Sequence, residues 1–248
     1  LYFRLRYTDQ INKAIIEDGK VISALQMISY PMTFCGRTVA ASYISGACTH
    51  PDYRARGAMR RLLGETHRSM FDEGIMFSTL IPAEDWLKGY YARSGYATCF
   101  RYGVLKKVIN SYEQPVNNSV SYLKMSEIDL LKNPEKTIYP YFNEQMNRRS
   151  CCIQHTFDDF HVVLSDLVLS KGDVWTIYKG DVLSGLIFCL MQEKTLSVKE
   201  ILLSDEADLT VALHQLAAFY QAETMTCILP FADEMHELGM ARLINVPA

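Results

Sequence analysis

From Asn12 the chain reads as two strands, Lys13 to Glu17 and Val21 to Tyr30, joined by a hairpin turn at Asp18-Gly19. A third strand follows from Thr38 to Thr49. Pro51 stops it, and beyond Gly57 the period changes. Met59, Leu62, Leu63, Thr66 and Met70 recur at helical spacing and predict a helix of about four turns, ended by Gly74. Met76 to Ile81 is a short apolar strand closed by Pro82, and the order strand, helix, strand predicts a parallel crossover. Glu84 to Tyr96 predicts a short helix with acidic residues at its start and glycine at its stop, and Tyr96 to Lys106 returns as a strand.

Lys106 to Ser119 loses periodicity and collects Asn110, Ser111, Gln114, Pro115, Asn117, Asn118 and Ser119, the composition of a linker. Past it, Val120 to Met125 is a strand candidate, while Thr137 to Met146 and Phe160 to Leu169 are helical by spacing. Val174 to Leu203 reads as a three-strand meander with Lys179-Gly180-Asp181 at a hairpin, followed by a helix carrying Leu209, Ala212, Leu213, Leu216 and Tyr220. The second half thus repeats the order of the first. The expected architecture is α/β with a mixed sheet, in two tandem domains: 1-108, a linker at 109-119, and 120-248. Leu1 to Tyr7 looks like the tail of an element, so residues are expected before it.

Charge then singles out one stretch. Gly46, Ala47, Cys48 and Thr49 end the third strand with small residues that let a ligand lie close to the main chain. Arg54, Arg56, Arg60 and Arg61 crowd the start of the following helix, where the macrodipole is already positive and acidic residues are the rule. Unpaired first-turn N–H groups, a glycine and forked guanidinium groups suit a phosphate. A solvated basic patch accounts for the charge alone equally well. Neither a Walker-type phosphate loop nor a three-glycine dinucleotide fingerprint is present.

Arg54-Ala55-Arg56-Gly57-Ala58-Met59, with Pro51 ahead of it, resembles the Arg/Gln-x-x-Gly-x-Gly/Ala loop of the GNAT superfamily of N-acetyltransferases. Met59 departs from the small residue that usually ends the loop and is similar to the enhanced intracellular survival (Eis-type) branch. Tyr91-Ala92-Arg93-Ser94-Gly95-Tyr96 resembles the Tyr-x-Arg-Phe-Gly-Tyr segment of the same branch. The resemblance implies acetyl-CoA as co-substrate, with its pyrophosphate on Arg54, Ala55, Arg56, Gly57, Ala58, Met59 and Arg60 and its pantetheine arm along Ala47, Cys48 and Thr49. It implies Tyr91 as general acid, where the residues alone favour an aromatic that packs a helix onto the sheet. In the second half, Ser204-Asp205-Glu206-Ala207-Asp208 stands where the loop would be; its carboxylates would repel pyrophosphate, which makes this half a degenerate GNAT-like domain. Asp208 is the expected N-cap there. The motifs cover only Ala47 to Arg61 and Tyr91 to Tyr96.

Composition narrows the classes. The chain has 248 residues, 49% hydrophobic and 21% charged, with a net charge of -3 that argues against a nucleic-acid partner. No apolar run approaches the roughly 18 residues of a membrane span and no signal peptide is evident, so no membrane partner and a cytoplasmic location are expected. Seven cysteines, most among apolar neighbours and with no Cys-x-x-Cys, are expected as buried free thiols, Cys48 included. Six histidines show no metal-ligand spacing, so no metal is implied.

The chemistry implied by the resemblance is direct transfer from acetyl-CoA to a primary amine of a small molecule, without a covalent enzyme intermediate. Glu84 and Asp85 are candidate bases acting through water, though acidic residues at a helix start have a structural role too. Eis-type enzymes take a carboxylate from a third domain, for which this chain has no room; Leu238 to Ala248 is expected inside the second unit. A non-catalytic acyl-CoA-binding or regulatory module, and an interaction protein whose arginines meet another anion, are the alternatives. A homo-oligomer is left open.

Overall fold

The computed structural model describes residues 7–109, 120–126 and 138–246. The tail at the start of the chain apart from Tyr7, the predicted linker apart from Ile109, and Thr137 of the helix predicted from Thr137 to Met146 lie outside them. Two compact units divide the chain. The first comprises Leu1–Arg101, Ser150–Thr156 and Glu237–Ala248; the second comprises Tyr102–Arg149 and Phe157–His236.

The first unit opens with a meander. Strands β1 (Asn12–Glu17), β2 (Lys20–Phe34) and β3 (Arg37–Thr49) are antiparallel neighbours. Asp18-Gly19 and Cys35-Gly36 turn the chain with both residues of each pair at positive φ, which matches the right-handed twist of the strands they join. Helix α1 (Ala58–Asp72) crosses over to β4 (Phe77–Leu80), parallel to β3, as the spacing predicts. The buried stripe of α1 holds Met59, Leu62, Leu63, Thr66 and Met70, the positions read from sequence, and His67 in addition. Helix α2 (Trp86–Ala92) and β5 (Ala97–Val108) follow. The core gathers Ile15, Ile22, Leu25, Met27, Ile44, Leu63, Met70 and Leu80 beneath α1.

Two strands of this unit come from distant chain and were not anticipated. Cys151–Ile153 forms β7, paired antiparallel with Met32–Phe34. Met235–Leu243 forms β12, whose Met240–Leu243 pairs antiparallel with β4. The strand order is β1-β2-β3-β4-β12-β5. The sequence places Leu238 to Ala248 in the second unit, whereas Glu237–Ala248 belongs to the first. A strand's local pattern states which of its faces is buried, not which edge it will pair with.

In the second unit, β8 (Asp173–Lys179), β9 (Val182–Gln192) and β10 (Thr195–Leu203) form the expected meander, with β6 (Val120–Lys124) along β8. Helices α3 (Tyr139–Asn147) and α4 (Phe157–Leu169) bring Phe142 and Phe160 together, ring centroids 4.5 Å apart. Helix α5 (Leu209–Tyr220) crosses over to β11 (Thr224–Leu229), parallel to β10. Residues Gly103–Val108 of β5 pair with β11. The core holds Trp175, Ile187, Cys189, Leu196, Leu213, Leu216 and Cys227. The fold class is therefore mixed α/β, as read from the pattern. Among the described residues no helix is long and apolar enough to cross a membrane.

The thiols correct an expectation. All seven are free, yet Cys35, Cys48, Cys99 and Cys151 are exposed, Cys152 is half-buried, and only Cys189 and Cys227 are buried. Apolar neighbours in sequence alternate across a strand, so they say little about the face on which an intervening residue falls.

Candidate active site

The site begins where β3 loses a neighbour. Its pairing with β4 spans only Ala41, Ser42 and Tyr43, so from Ile44 to Thr49 that edge has no strand partner among the described residues. On the other edge Gln26 faces Ser45 and Ala24 faces Cys48, which leaves Gly46 and Ala47 together opposite Leu25. This is a β-bulge, with Gly46 at φ +59°, and it bends the strand as it leaves β4. Ala47 packs against the core, Thr49 Oγ1 meets Ser23 Oγ at 3.1 Å, and Cys48 is exposed rather than buried.

The ladder closes with His50 N–H donating to Ile22 O, and Pro51–Tyr53 make one 3-10 turn. Arg54 folds back, its Nε donating to Thr49 O at 3.2 Å. Ala55 and Gly57 both take positive φ, +60° and +83°. Between Arg54 N–H, bonded to Pro51 O, and Arg61 N–H, bonded to Gly57 O, the N–H groups of residues 55–60 have no backbone partner among the described residues. A side chain at 57 would point into open space but would be strained at that φ, so glycine serves the backbone path.

Among the described residues no carboxylate forms an ion pair with Arg54, Arg56 or Arg60. The first turn of α1 holds no acidic residue and Gly57 supplies no side-chain cap. Arg61 pairs with Glu65 one turn on, at 2.9 Å, and the Arg56 guanidinium lies 5.3 Å from the centre of the Tyr53 ring. Met59 contributes its side chain to the core, 9% exposed, so the residue that departs from the small-residue pattern leaves the loop's outer face to its backbone. A helix start of this kind has the donors and the field for an anion.

Tyr91 sits in the last turn of α2, half-buried against the same core. Its ring meets those of Tyr90 and Tyr96 edge-on, at 5.4 and 5.9 Å. Burial first, then the neighbouring hydroxyls of Tyr90 and Tyr43, push its pKa up, so the phenol holds its proton at neutral pH. Tyr43 is the last residue at which β3 and β4 are paired. The two acidic candidates are engaged locally: Glu84 accepts from Trp86 Nε1, and Asp85 pairs with Lys88, which also reaches Glu237 at 2.7 Å.

Behind Tyr91 lies a buried polar chain that the sequence did not reveal. Arg242 Nη1 donates to Ser94 O at 2.6 Å and lies 3.0 Å from His67 Nδ1. A guanidinium can only donate, so Nδ1 accepts and the imidazole proton is on Nε2. Nε2–H then donates to the Tyr96 hydroxyl at 2.9 Å, leaving that hydroxyl to donate to Ser78 Oγ at 2.6 Å. Burial and the Arg242 charge lower His67 to about 4, while burial pushes Tyr96 up to about 12. His67 carried a signal, a histidine on the buried stripe of an amphipathic helix. Arg242, 175 positions away, carried none.

Residues 2–99 match the model of the acetyltransferase (GNAT) domain. A probable N-acyltransferase from Enterococcus faecalis is similar in structure, with a TM-score of 0.78 and 14% identity over 94% of this chain and 62% of that one. A GCN5-related N-acetyltransferase from Anabaena variabilis gives 0.71 and 18% over 95% and 63%. Eis1 from Mycobacterium abscessus gives 0.66 and 11% over 94% and 64%. The chain thus spans less than two thirds of each of these structures. At such identities the likeness is one of fold. No curated protein matches the sequence. The chain has a GNAT-type acetyltransferase fold.

Proposed function

We propose that the first unit transfers the acetyl group of acetyl-CoA to a primary amine of a small molecule, by direct attack in a ternary complex. The observation that carries this reading is the run of unpartnered N–H groups at residues 55–60, ringed by arginines and continuous with a free strand edge. On it, Ala55, Arg56, Gly57, Ala58, Met59 and Arg60 donate to the pyrophosphate through their backbone, and Arg54, Arg56 and Arg60 supply charge. Ala47, Cys48 and Thr49 present the edge to the amides of the pantetheine arm, as to an added strand.

Tyr91 is the proton donor of this reading. The amine loses one proton to solvent and its nitrogen attacks the thioester carbon; the C–N bond forms and the C–S bond breaks. The departing thiolate, whose conjugate thiol has a pKa of roughly 8.5 if it resembles cysteine, takes the Tyr91 hydroxyl proton. The second proton lost by the nitrogen restores the phenol. A tyrosine whose pKa is raised by burial is protonated when needed, and no cysteine takes part.

The second unit, on this reading, is a GNAT-like copy without a nucleotide site. Its corresponding turn is capped from within, Asp205 Oδ1 accepting Ala207 N–H at 3.0 Å. Asp208 makes no side-chain cap, contrary to the sequence expectation, and pairs instead with Lys179 at 2.6 Å. The local engagement of Glu84 and Asp85 favours one rival, an acyl-CoA-binding module without turnover. Calorimetric titration of acetyl-CoA into the wild type and into the Arg56→Ala, Arg60→Ala double variant tests the reading. Micromolar binding, about -8 kcal/mol, that weakens in the variant is expected. Absence of binding to the wild type refutes it, and binding with no thiol release across an amine panel selects the rival.

A further inference from the structure

We propose that Arg242, on the strand contributed by the far end of the chain, is a positioning residue that fixes the Tyr91 hydroxyl by clamping the turn that ends α2. The proposal rests on the role given to Tyr91 above. Tyr91 O accepts from both Ser94 N–H, at 2.8 Å, and Tyr96 N–H, at 3.3 Å, so residues 91–96 form one closed turn. That turn is short of internal support. Helix α2 has seven residues, none of them buried, and Asp85 supplies no side-chain cap at its start.

Arg242 supplies what the helix lacks. Its Nη1 donates to Ser94 O, and its Cδ and Nε lie 3.4 Å from where a side-chain carbon on Gly95 would stand. Gly95, at φ +85°, is required by the turn, and the Arg242 side chain lies against it at van der Waals distance. The same nitrogen reaches His67 on α1, and His67 holds Tyr96, whose ring packs edge-on to that of Tyr91. The turn is therefore tied to α1 and β4 at two points: at Ser94 through Arg242 and His67, and at Tyr96 through His67 and Ser78. With the clamp gone, the backbone carbonyl of Ser94 and the Nδ1 of His67 lose their donor, and the six-residue turn is free to rock. A shift of an ångström in a proton donor costs rate, not co-substrate affinity, because the phosphate loop lies at the other end of α1.

The test uses the whole chain, acetyl-CoA, and benzylamine and water as probe acceptors, with thiol release as readout. Arg242→Ala is expected to lower kcat about tenfold or more with the KM for acetyl-CoA unchanged. Arg242→Lys, which keeps one donor, is expected to recover part of the loss. In a Tyr91→Phe background Arg242→Ala should cost less than about twofold, because the group it positions is gone. An equal loss in both backgrounds, or a rise in KM alone, overturns the proposal. A second arm is independent of turnover: 3-fluorotyrosine at position 91, followed by 19F NMR. One narrow resonance in the wild type, broadened or split by Arg242→Ala and restored by Arg242→Lys, is expected; an unchanged line overturns the clamp. If acetyl-CoA does not bind the wild type, or if Tyr91→Phe turns over normally, it is the proposed function that fails, and the 19F arm decides the clamp by itself.

Discussion

Acid should loosen the first unit through His67, and the size of the effect follows from its surroundings. The ring is 6% exposed and faces the Arg242 guanidinium, the Tyr96 hydroxyl and the apolar stripe of α1. Its pKa falls from 6.5 to about 4, burial being the larger cause. The unfolded chain therefore binds a proton near pH 6.5 that the folded unit refuses until about pH 4. Between those values the unfolded state holds more protons, so stability is complete above pH 6.5 and drains away as the pH falls. The slope is about 1.4 kcal/mol per pH unit, and the total at most about 3 kcal/mol. Hydrogen exchange of peptides from α1 and from Tyr96–Arg101, referred to intrinsic rates at each pH, reads this unit alone. His67→Gln is the control, since an amide can accept from Arg242 and donate to Tyr96 without titrating. The wild type should lose about 2 kcal/mol or more relative to His67→Gln between pH 7 and pH 4.5. Parallel pH profiles for the two proteins would refute the burial argument.

Gly57→Glu should abolish acetyl-CoA binding by calorimetry, because it forces a carboxylate and a Cβ into a left-handed position at the anion site; retained affinity would remove the loop from the proposal. Tyr91→Phe should bind acetyl-CoA within about twofold of wild type yet slow thiol release about a hundredfold, the usual scale of a lost general acid. Titration with a disulfide reagent should modify Cys35, Cys48, Cys99 and Cys151 first and Cys189 and Cys227 only on unfolding, since burial pushes the last two thiols up to about 12. Saturating acetyl-CoA should protect Cys48 within the first group, as judged by peptide mass mapping.

Much of the fold could be read locally. The Asp18-Gly19 hairpin, the stripe Met59, Leu62, Leu63, Thr66, Met70 and the β8 to β10 meander each lie in one stretch of sequence with its own period and punctuation. The proposed anion loop could be singled out for the same reason: Arg54, Arg56, Gly57 and Arg60 fall within one stretch of seven residues, and a positive helix start without acidic residues is anomalous by composition alone. What could not be read was non-local. The short β7 has three residues and no period, and β12 reveals its place only through its partner β4. Arg242 lies on β12, so the proposed clamp behind Tyr91 could not be read from the sequence. The bulge at Gly46 and Ala47 lay between these cases. Its small residues were evident, but an extra residue shows only once the register against β2 is known.

The two crossovers in this chain pose the same electrostatic problem and solve it in opposite ways. Each follows a meander with a helix whose first turn has N–H groups without helical partners, β3 to α1 in one unit and β10 to α5 in the other. In the second unit the chain answers for itself. Asp205 accepts Ala207 N–H, its carbonyl takes Asp208 N–H, and the carboxylate of Asp208 is neutralised by Lys179. In the first unit the described residues give no such answer at the helix start: no capping side chain, no acid in the first turn, and Arg54, Arg56 and Arg60 beside an Arg61 that pairs with Glu65 one turn on. Each lost cap costs a helix about 1 kcal/mol, and like charges at the N-terminus add to that. Such a loop is stable only because Met59, Leu62 and Leu63 hold α1 to the sheet by burial rather than by its end. Among the described helix starts of the two crossovers, this destabilisation falls where the proposed pyrophosphate would relieve it, and a merely basic surface would not need the caps to be missing as well.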